Sequence, residues 1–206
     1  MPLAKEVIRL LPTQFEPARV TLGQAFENYP LMTYALPEAQ RRLRAVTSVY
    51  ASILWDCLHW GEVYSTSEVA GVACWLPPGR TSPGLMRLIR SGMLKLPLLF
   101  GWTGFRRLQA YDGLAQKLHH QHAPGDHWYL WAIGVRPQDQ GKGIAGQLVA
   151  PILARADQES LPCYLETHVE SNVRVYARLG FEVALRRDLQ GHPLPVWAMV
   201  RRPNTP

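Results

Sequence analysis

An apolar run, Trp128-Tyr-Leu-Trp-Ala-Ile-Gly-Val135, leads into a polar turn, Arg136-Pro-Gln-Asp-Gln-Gly-Lys-Gly143, and then into an amphipathic stretch over residues 144–159. The run has the length and the aromatic and β-branched content of a buried strand, and the stretch has helical spacing. The glycine-rich turn therefore joins a strand to a helix, and no other feature restricts the fold as much. Backbone N–H groups clustered at such a junction, with the positive end of the helix dipole, favour an anion such as a phosphate. An ordinary turn explains the glycines alone equally well.

Gly141-Lys-Gly-Ile-Ala-Gly146 spells G-x-G-x-x-G, and Glu166 lies 20 residues beyond Gly146, so a dinucleotide-binding Rossmann unit has to be weighed. Its context is wrong. A Rossmann turn is tight, whereas residues 136–140 intervene here, and fewer than about 45 residues follow Glu166, too few for the remaining parallel units.

The rest of the chain supplies the other elements. A short β-like run at 6–11 ends at Pro12, and a helical segment follows through Phe15, Val20, Leu22 and Phe26. Over 38–60, Leu43, Val46, Val49, Tyr50, Ile53, Leu54 and Cys57 recur at spacings of three and four, and Gly61 ends that helix. Residues 62–66 and 69–76 read as an antiparallel hairpin. Residues 80–126 read as helical pieces broken by Gly92, Pro97, Gly101 and Gly104, an insertion that could shape a pocket. Strands are expected at 161–167, 181–185 and 196–200, and a short helix at 172–179.

At 206 residues, with 47% hydrophobic and 18% charged residues, the chain is expected to be one globular domain over 1–206. Lys plus Arg exceed Asp plus Glu by 22 to 16, and the resulting +6 favours anionic partners. The basic residues are dispersed, without zinc-finger spacing or an RNA-binding aromatic motif, so no nucleic-acid partner is expected. No membrane partner is expected either, since the most apolar stretch, around 93–105, carries Lys95 and Pro97 and is too short to span a bilayer. Cys57, Cys74 and Cys163 fit free thiols in a reducing compartment, and the first residues lack a signal-peptide core, so a cytoplasmic location is expected. His119, His120, His122 and His127 lack further ligands at metal spacing and are expected to be solvated, with no metal bound; His168 is expected to be peripheral. No nucleophile elbow or P-loop is present.

Gln140-x-x-Gly143-x-Ala145 resembles the acyl-CoA-binding signature of the GNAT superfamily of N-acetyltransferases. The segment Tyr164-Leu-Glu-Thr-His-Val-Glu-Ser-Asn172-Val-Arg-Val-Tyr176-Ala-Arg-Leu-Gly180-Phe181 resembles the family's second motif. Together the motifs cover 128–185, and they look most like the small-drug-acetylating branch that includes puromycin N-acetyltransferase. The resemblance implies an α/β fold of the α+β type, with a mixed, mostly antiparallel central sheet flanked by helices and an enlarged helical insertion at about 80–126. It also implies acetyl-CoA as co-substrate and direct transfer of the acetyl group to a primary amine of a small molecule or peptide. A non-catalytic acyl-CoA-binding or sensing module is the alternative, and the oligomeric state, a homodimer included, stays open.

By the same resemblance, Gln140, Gly141, Lys142, Gly143, Ile144, Ala145 and Gly146 hold the phosphates, while Ile133, Gly134 and Val135 offer backbone to pantetheine. Gly134 would permit a bulge or a close backbone approach, and an N–H released there could polarise the thioester. Asn172 would contact pantetheine, cap the following helix, or both. Tyr176 is the implied general acid, against the reading of a core tyrosine. Glu166 is the candidate base for the amine, against that of a structural carboxylate. Trp55, Trp60, Trp75, Trp102 and Phe105 are candidates for the acceptor pocket, although scattered aromatics more often belong to the core.

Overall fold

The computed structural model describes residues 6–204. In chain order its elements are β1 (Val7–Arg9), α1 (Phe15–Phe26), α2 (Pro30–Ala35), α3 (Ala39–Trp60), β2 (Glu62–Thr66), β3 (Gly71–Leu76), α4 (Leu85–Ser91), α5 (Leu96–His122), β4 (Trp128–Val135), α6 (Ile144–Gln158), β5 (Cys163–Thr167), α7 (Glu170–Ala177), β6 (Glu182–Asp188) and β7 (Pro195–Arg201), with three short 3-10 turns between them. The strands form a sheet in the order β1-β2-β3-β4-β5-β7-β6. Every neighbouring pair is antiparallel except β4 and β5. This is the mixed, mostly antiparallel sheet flanked by helices that the sequence implies.

Both faces of the sheet are covered at its centre, and the side-chain period of two shows how. Val72, Cys74 and Leu76 of β3 join Leu22, Val46 and Leu54 of the helical layer made by α1 and α3. Ala73 and Trp75, between them, join Leu148 and Ile152 of α6 on the other face. Burial on both sides explains why β3 reads as an unbroken apolar run.

In β4 the alternation changes phase. Trp128 and Leu130 face α6, yet Ala132 packs with Trp131 on the opposite face. The register on β3 slips at the same place: Trp75 stands opposite Leu130 and Cys74 opposite Ala132, which leaves Trp131 as the extra residue of a β-bulge. The bulge is thus at Trp131, a correction to the expectation at Gly134, which pairs regularly with Val72.

The other reading of Gly134 holds, for a Cβ there would lie 2.9 Å from Ala25 Cβ and 3.1 Å from a Leu22 methyl. The missing side chain lets α1 lie against the strand. Gly134→Val is therefore expected to lower stability by about 1–3 kcal/mol through overpacking, read as a shift in the urea midpoint at an unchanged slope.

Three further departures from the sequence reading are local. A separate α2 forms after Tyr29, whose extended backbone precedes Pro30 in the first turn, where proline is tolerated. The α7 helix starts at Glu170 with Val169 at its N-cap, so Asn172 lies inside the first turn and does not cap it. In the insertion, Gly92 ends α4 and Gly101 (φ 68°) kinks α5, but Pro97 sits at the start of α5 and Gly104 lies within the helix. Among the described residues, no helix is long and apolar enough to cross a membrane.

Candidate active site

Only Trp128 and Tyr129 of β4 pair with β5, opposite Cys163 and Tyr164. Beyond them the two parallel strands diverge, and the edge of β4 from Leu130 to Val135 that faces β5 is left open. A cavity of about 1100 Å³ occupies this opening, walled by the insertion on one side and by β5 and α7 on the other. Of the residues singled out from the sequence as site candidates, Ile133, Glu166, Asn172, Tyr176 and Phe105 line it, and so do His119, His120, His127 and His168. Trp55, Trp60, Trp75 and Trp102 do not; Trp75 is core, and Trp102 is 67% exposed.

Gln140, Gly141, Lys142, Gly143, Ala145 and Gly146 lie outside the cavity, where β4 passes into α6. Gly141 (φ 77°) and Gly143 (φ 78°) hold left-handed backbone that glycine adopts without strain, and a Cβ at either would meet nothing within 4 Å. Gly143 is the N-cap of α6 and brings no capping side chain, so the first amides of the helix, on Ile144, Ala145 and Gly146, are not capped from within. Lys142 Nζ and the Arg136 guanidinium both bind the buried Asp139 carboxylate, at 2.9 Å each. The loop thus offers amides and one net positive charge. Gln140 Nε2 donates to the Val135 carbonyl at 3.0 Å, so that carbonyl, expected to serve pantetheine, is already engaged.

Glu166 stands half-buried in the cavity wall, and loss of water, opposed in part by the Tyr129 and Tyr164 hydroxyls, pushes its carboxyl up to about 7. The Tyr129 hydroxyl donates to Glu166 Oε2 at 2.9 Å. Tyr164 lies against the same carboxylate, its hydroxyl and Glu166 Oε1 both closed off from solvent. Tyr176 packs edge-on against Phe181, and burial holds its phenol well above the usual tyrosine range, so it stays protonated at neutral pH.

A network that local spacing could not reveal links the first helices to β5. The His168 backbone N–H donates to Tyr29 Oη at 2.9 Å, Tyr29 Oη and Thr167 Oγ1 are 3.0 Å apart, and Asn172 Nδ2 reaches the same Thr167 oxygen at 3.4 Å. Tyr29 thereby ties Asn172 to the opening. The sequence reading places His168 at the periphery, and the structure overturns it. His168 is buried, its Nδ1 lies 3.0 Å from the Pro195 carbonyl, and burial lowers its pKa to about 4.

The expectation of solvated histidines also fails in part. The end of α5 packs on Tyr164, which stacks on His119, and the Nε2 atoms of His119 and His127 meet at 2.5 Å. His127 Nδ1 lies 2.6 Å from the Gly125 carbonyl, which assigns its proton to Nδ1 and makes His119 Nε2 the donor within the pair. Burial, with His127 beside it, lowers His119 to about 4. His120 is exposed, as expected.

The fold thus sets a strand opening beside a glycine-rich helix start, with a half-buried carboxylate and a protonated tyrosine in the cavity wall. The chain belongs to the acetyltransferase (GNAT) family, whose pattern it matches over residues 29–181, and it is an acyltransferase enzyme. It is 30% identical to an uncharacterized N-acetyltransferase of Schizosaccharomyces pombe, over 96% of this chain and 83% of that one. In fold it is similar to a histone acetyltransferase HPA2-related acetyltransferase of Corynebacterium glutamicum (TM-score 0.70, 21% identity, 97% of each chain). It is similar in the same way to arylalkylamine N-acetyltransferase 2 of Aedes aegypti (TM-score 0.64, 16% identity, 97% of this chain and 99% of that one).

Proposed function

We propose that this enzyme transfers the acetyl group of acetyl-CoA directly to the primary amine of a small, largely apolar molecule. The observation that carries the reading is the cavity itself. Glu166 stands in its wall with Oε2 held by the Tyr129 hydroxyl, aromatic and aliphatic side chains supply most of the wall, and no Lys or Arg is among the described lining residues. Such a wall suits an amine with an apolar body, and the insect neighbour is named for arylalkylamines.

In this reading the amides of Ile144, Ala145 and Gly146, with Lys142, hold the phosphates of CoA. Pantetheine runs along the open edge of β4 from Val135 towards Ile133, with Asn172 opposite. The bulge at Trp131, rather than Gly134, supplies the backbone irregularity from which an N–H can polarise the thioester carbonyl. The Glu166 carboxylate takes a proton from the ammonium, the neutral amine attacks the carbonyl carbon, and the tetrahedral intermediate loses its second nitrogen proton to solvent and collapses by breaking its C–S bond. The Tyr176 phenol donates its proton to the departing thiolate, giving amide and CoA thiol. No cysteine lines the cavity, and the three free cysteines are buried elsewhere, which favours direct transfer over a thioester enzyme intermediate.

Release of free CoA thiol in the presence of a panel of aryl- and alkylamines tests the proposal. Amine-dependent release is expected, while tight acetyl-CoA binding with no turnover on any amine would favour the sensing module. Gly143→Glu, which puts a carboxylate and a side chain where the phosphates would lie, is expected to abolish the rise in melting temperature that acetyl-CoA produces with the wild-type protein. A shift with NADH and none with acetyl-CoA would overturn the assignment of the loop.

A further inference from the structure

The helical insertion presents a surface that acetyl transfer does not use. Five large apolar side chains that are exposed and do not line the cavity, Leu85, Met86, Ile89, Leu98 and Trp102, fall in the short stretch from α4 to the first turns of α5. Leu98 is 83% exposed, and α4 buries none of its seven residues. Large apolar side chains exposed in such number over one short stretch mark a place of interaction.

Charge specifies the partner. From residue 80 to 111 the chain carries Arg80, Arg87, Arg90, Lys95, Arg106 and Arg107 and no Asp or Glu, so its whole net charge of +6 resides here and the remainder is balanced. Arg87 is bound to Asp56, Arg107 to the Tyr34 carbonyl, and Arg80 lies over the Trp60 ring. Arg90, Lys95 and Arg106 are exposed and form no ion pair among the described residues. Met86 and Arg90, and likewise Trp102 and Arg106, are four residues apart and share a helix face, while Lys95 adjoins Leu94. Leucines and a tryptophan beside unpaired cations on short surface helices suit the boundary between lipid headgroups and acyl chains.

We propose that α4 and the start of α5 dock on an anionic lipid bilayer. Leu85, Met86, Ile89, Leu98 and Trp102 enter the headgroup boundary, and Arg90, Lys95 and Arg106 face the lipid phosphates. This departs from the expectation of no membrane partner, which weighed only a spanning segment. Leu88, Met93 and Leu96 of the same segment line the cavity, so docking holds one wall of the reaction cavity against the bilayer, where an apolar amine is enriched.

The test is co-sedimentation of the full chain with vesicles of phosphatidylcholine alone, or of phosphatidylcholine with about 30% phosphatidylserine, at low and high salt. Binding to the anionic vesicles, weakened by salt, is expected. Changing Arg90, Lys95 and Arg106 together to Gln should lower the partition coefficient by roughly fivefold per charge. Leu98→Gln with Trp102→Gln should lower it by about tenfold or more. None of these five residues lines the cavity, so both variants should keep the wild-type melting temperature and wild-type transfer to a water-soluble amine. That keeps this inference separable from the proposed reaction. Absence of binding to either vesicle, or unchanged binding by both variants, would overturn it. So would lipid-free self-association that Leu98→Gln with Trp102→Gln abolishes without any vesicle binding, which would make the face an interface between copies of the chain.

Discussion

Tyr176→Phe is expected to lower turnover by about 10²–10⁴-fold, the usual contribution of a positioned general acid. The ring, and hence its packing on Phe181, is retained; only the hydroxyl and its proton are lost. Burial raises the phenol's pKa, so at neutral pH it is fully protonated and ready to donate. KM for acetyl-CoA and the melting temperature should therefore stay near their wild-type values while kcat falls. Turnover close to wild type would remove Tyr176 from the proton path, and a joint loss of stability and cofactor affinity would make the hydroxyl structural.

Glu166→Gln is expected to cost about 10²-fold or more in kcat/KM, and its pH dependence separates a base from a structural carboxylate. With the carboxyl pushed up to about 7, wild-type kcat/KM should rise about tenfold per pH unit until near neutrality and then bend. The variant should lack that bend. Stability gives an independent sign. The folded state holds the Glu166 proton more tightly than the unfolded chain does, so the group's contribution is complete below pH 4.5 and is lost as pH rises through about 7. Above pH 7 the glutamine variant, which has no charge to bury, should therefore gain up to about 3 kcal/mol relative to the wild type. Denaturant unfolding at pH 5 and pH 8 reads this directly. A wild-type profile without an inflection near 7, together with an active glutamine variant, would return Glu166 to a structural role.

The wall of the cavity shows why some of this site was readable and some was not. Glu166, Asn172 and Tyr176 stood out because they lie within a few residues of one another in a recurring motif. Tyr29 carried no such mark, being 139 residues from the His168 amide it accepts from. The His119 and His127 pair looked like polar residues near a helix end, which usually face water, until α5 was laid against Tyr164.

By itself the sequence determined the order of strands and helices apart from α2, and the strand, turn and helix at 128–159, because hydrophobic period, glycine and proline act over a few residues. It also singled out the loop at 136–146 as a candidate anion cradle, since glycines at a strand-to-helix junction are a local property. Only the tertiary structure decided that β4 bulges at Trp131 and that β4 and β5 part after Tyr129, because register is set by pairing with strands far away in the chain. It likewise decided the charge state of Glu166, since a carboxylate's pKa follows from the water it loses when distant segments close around it.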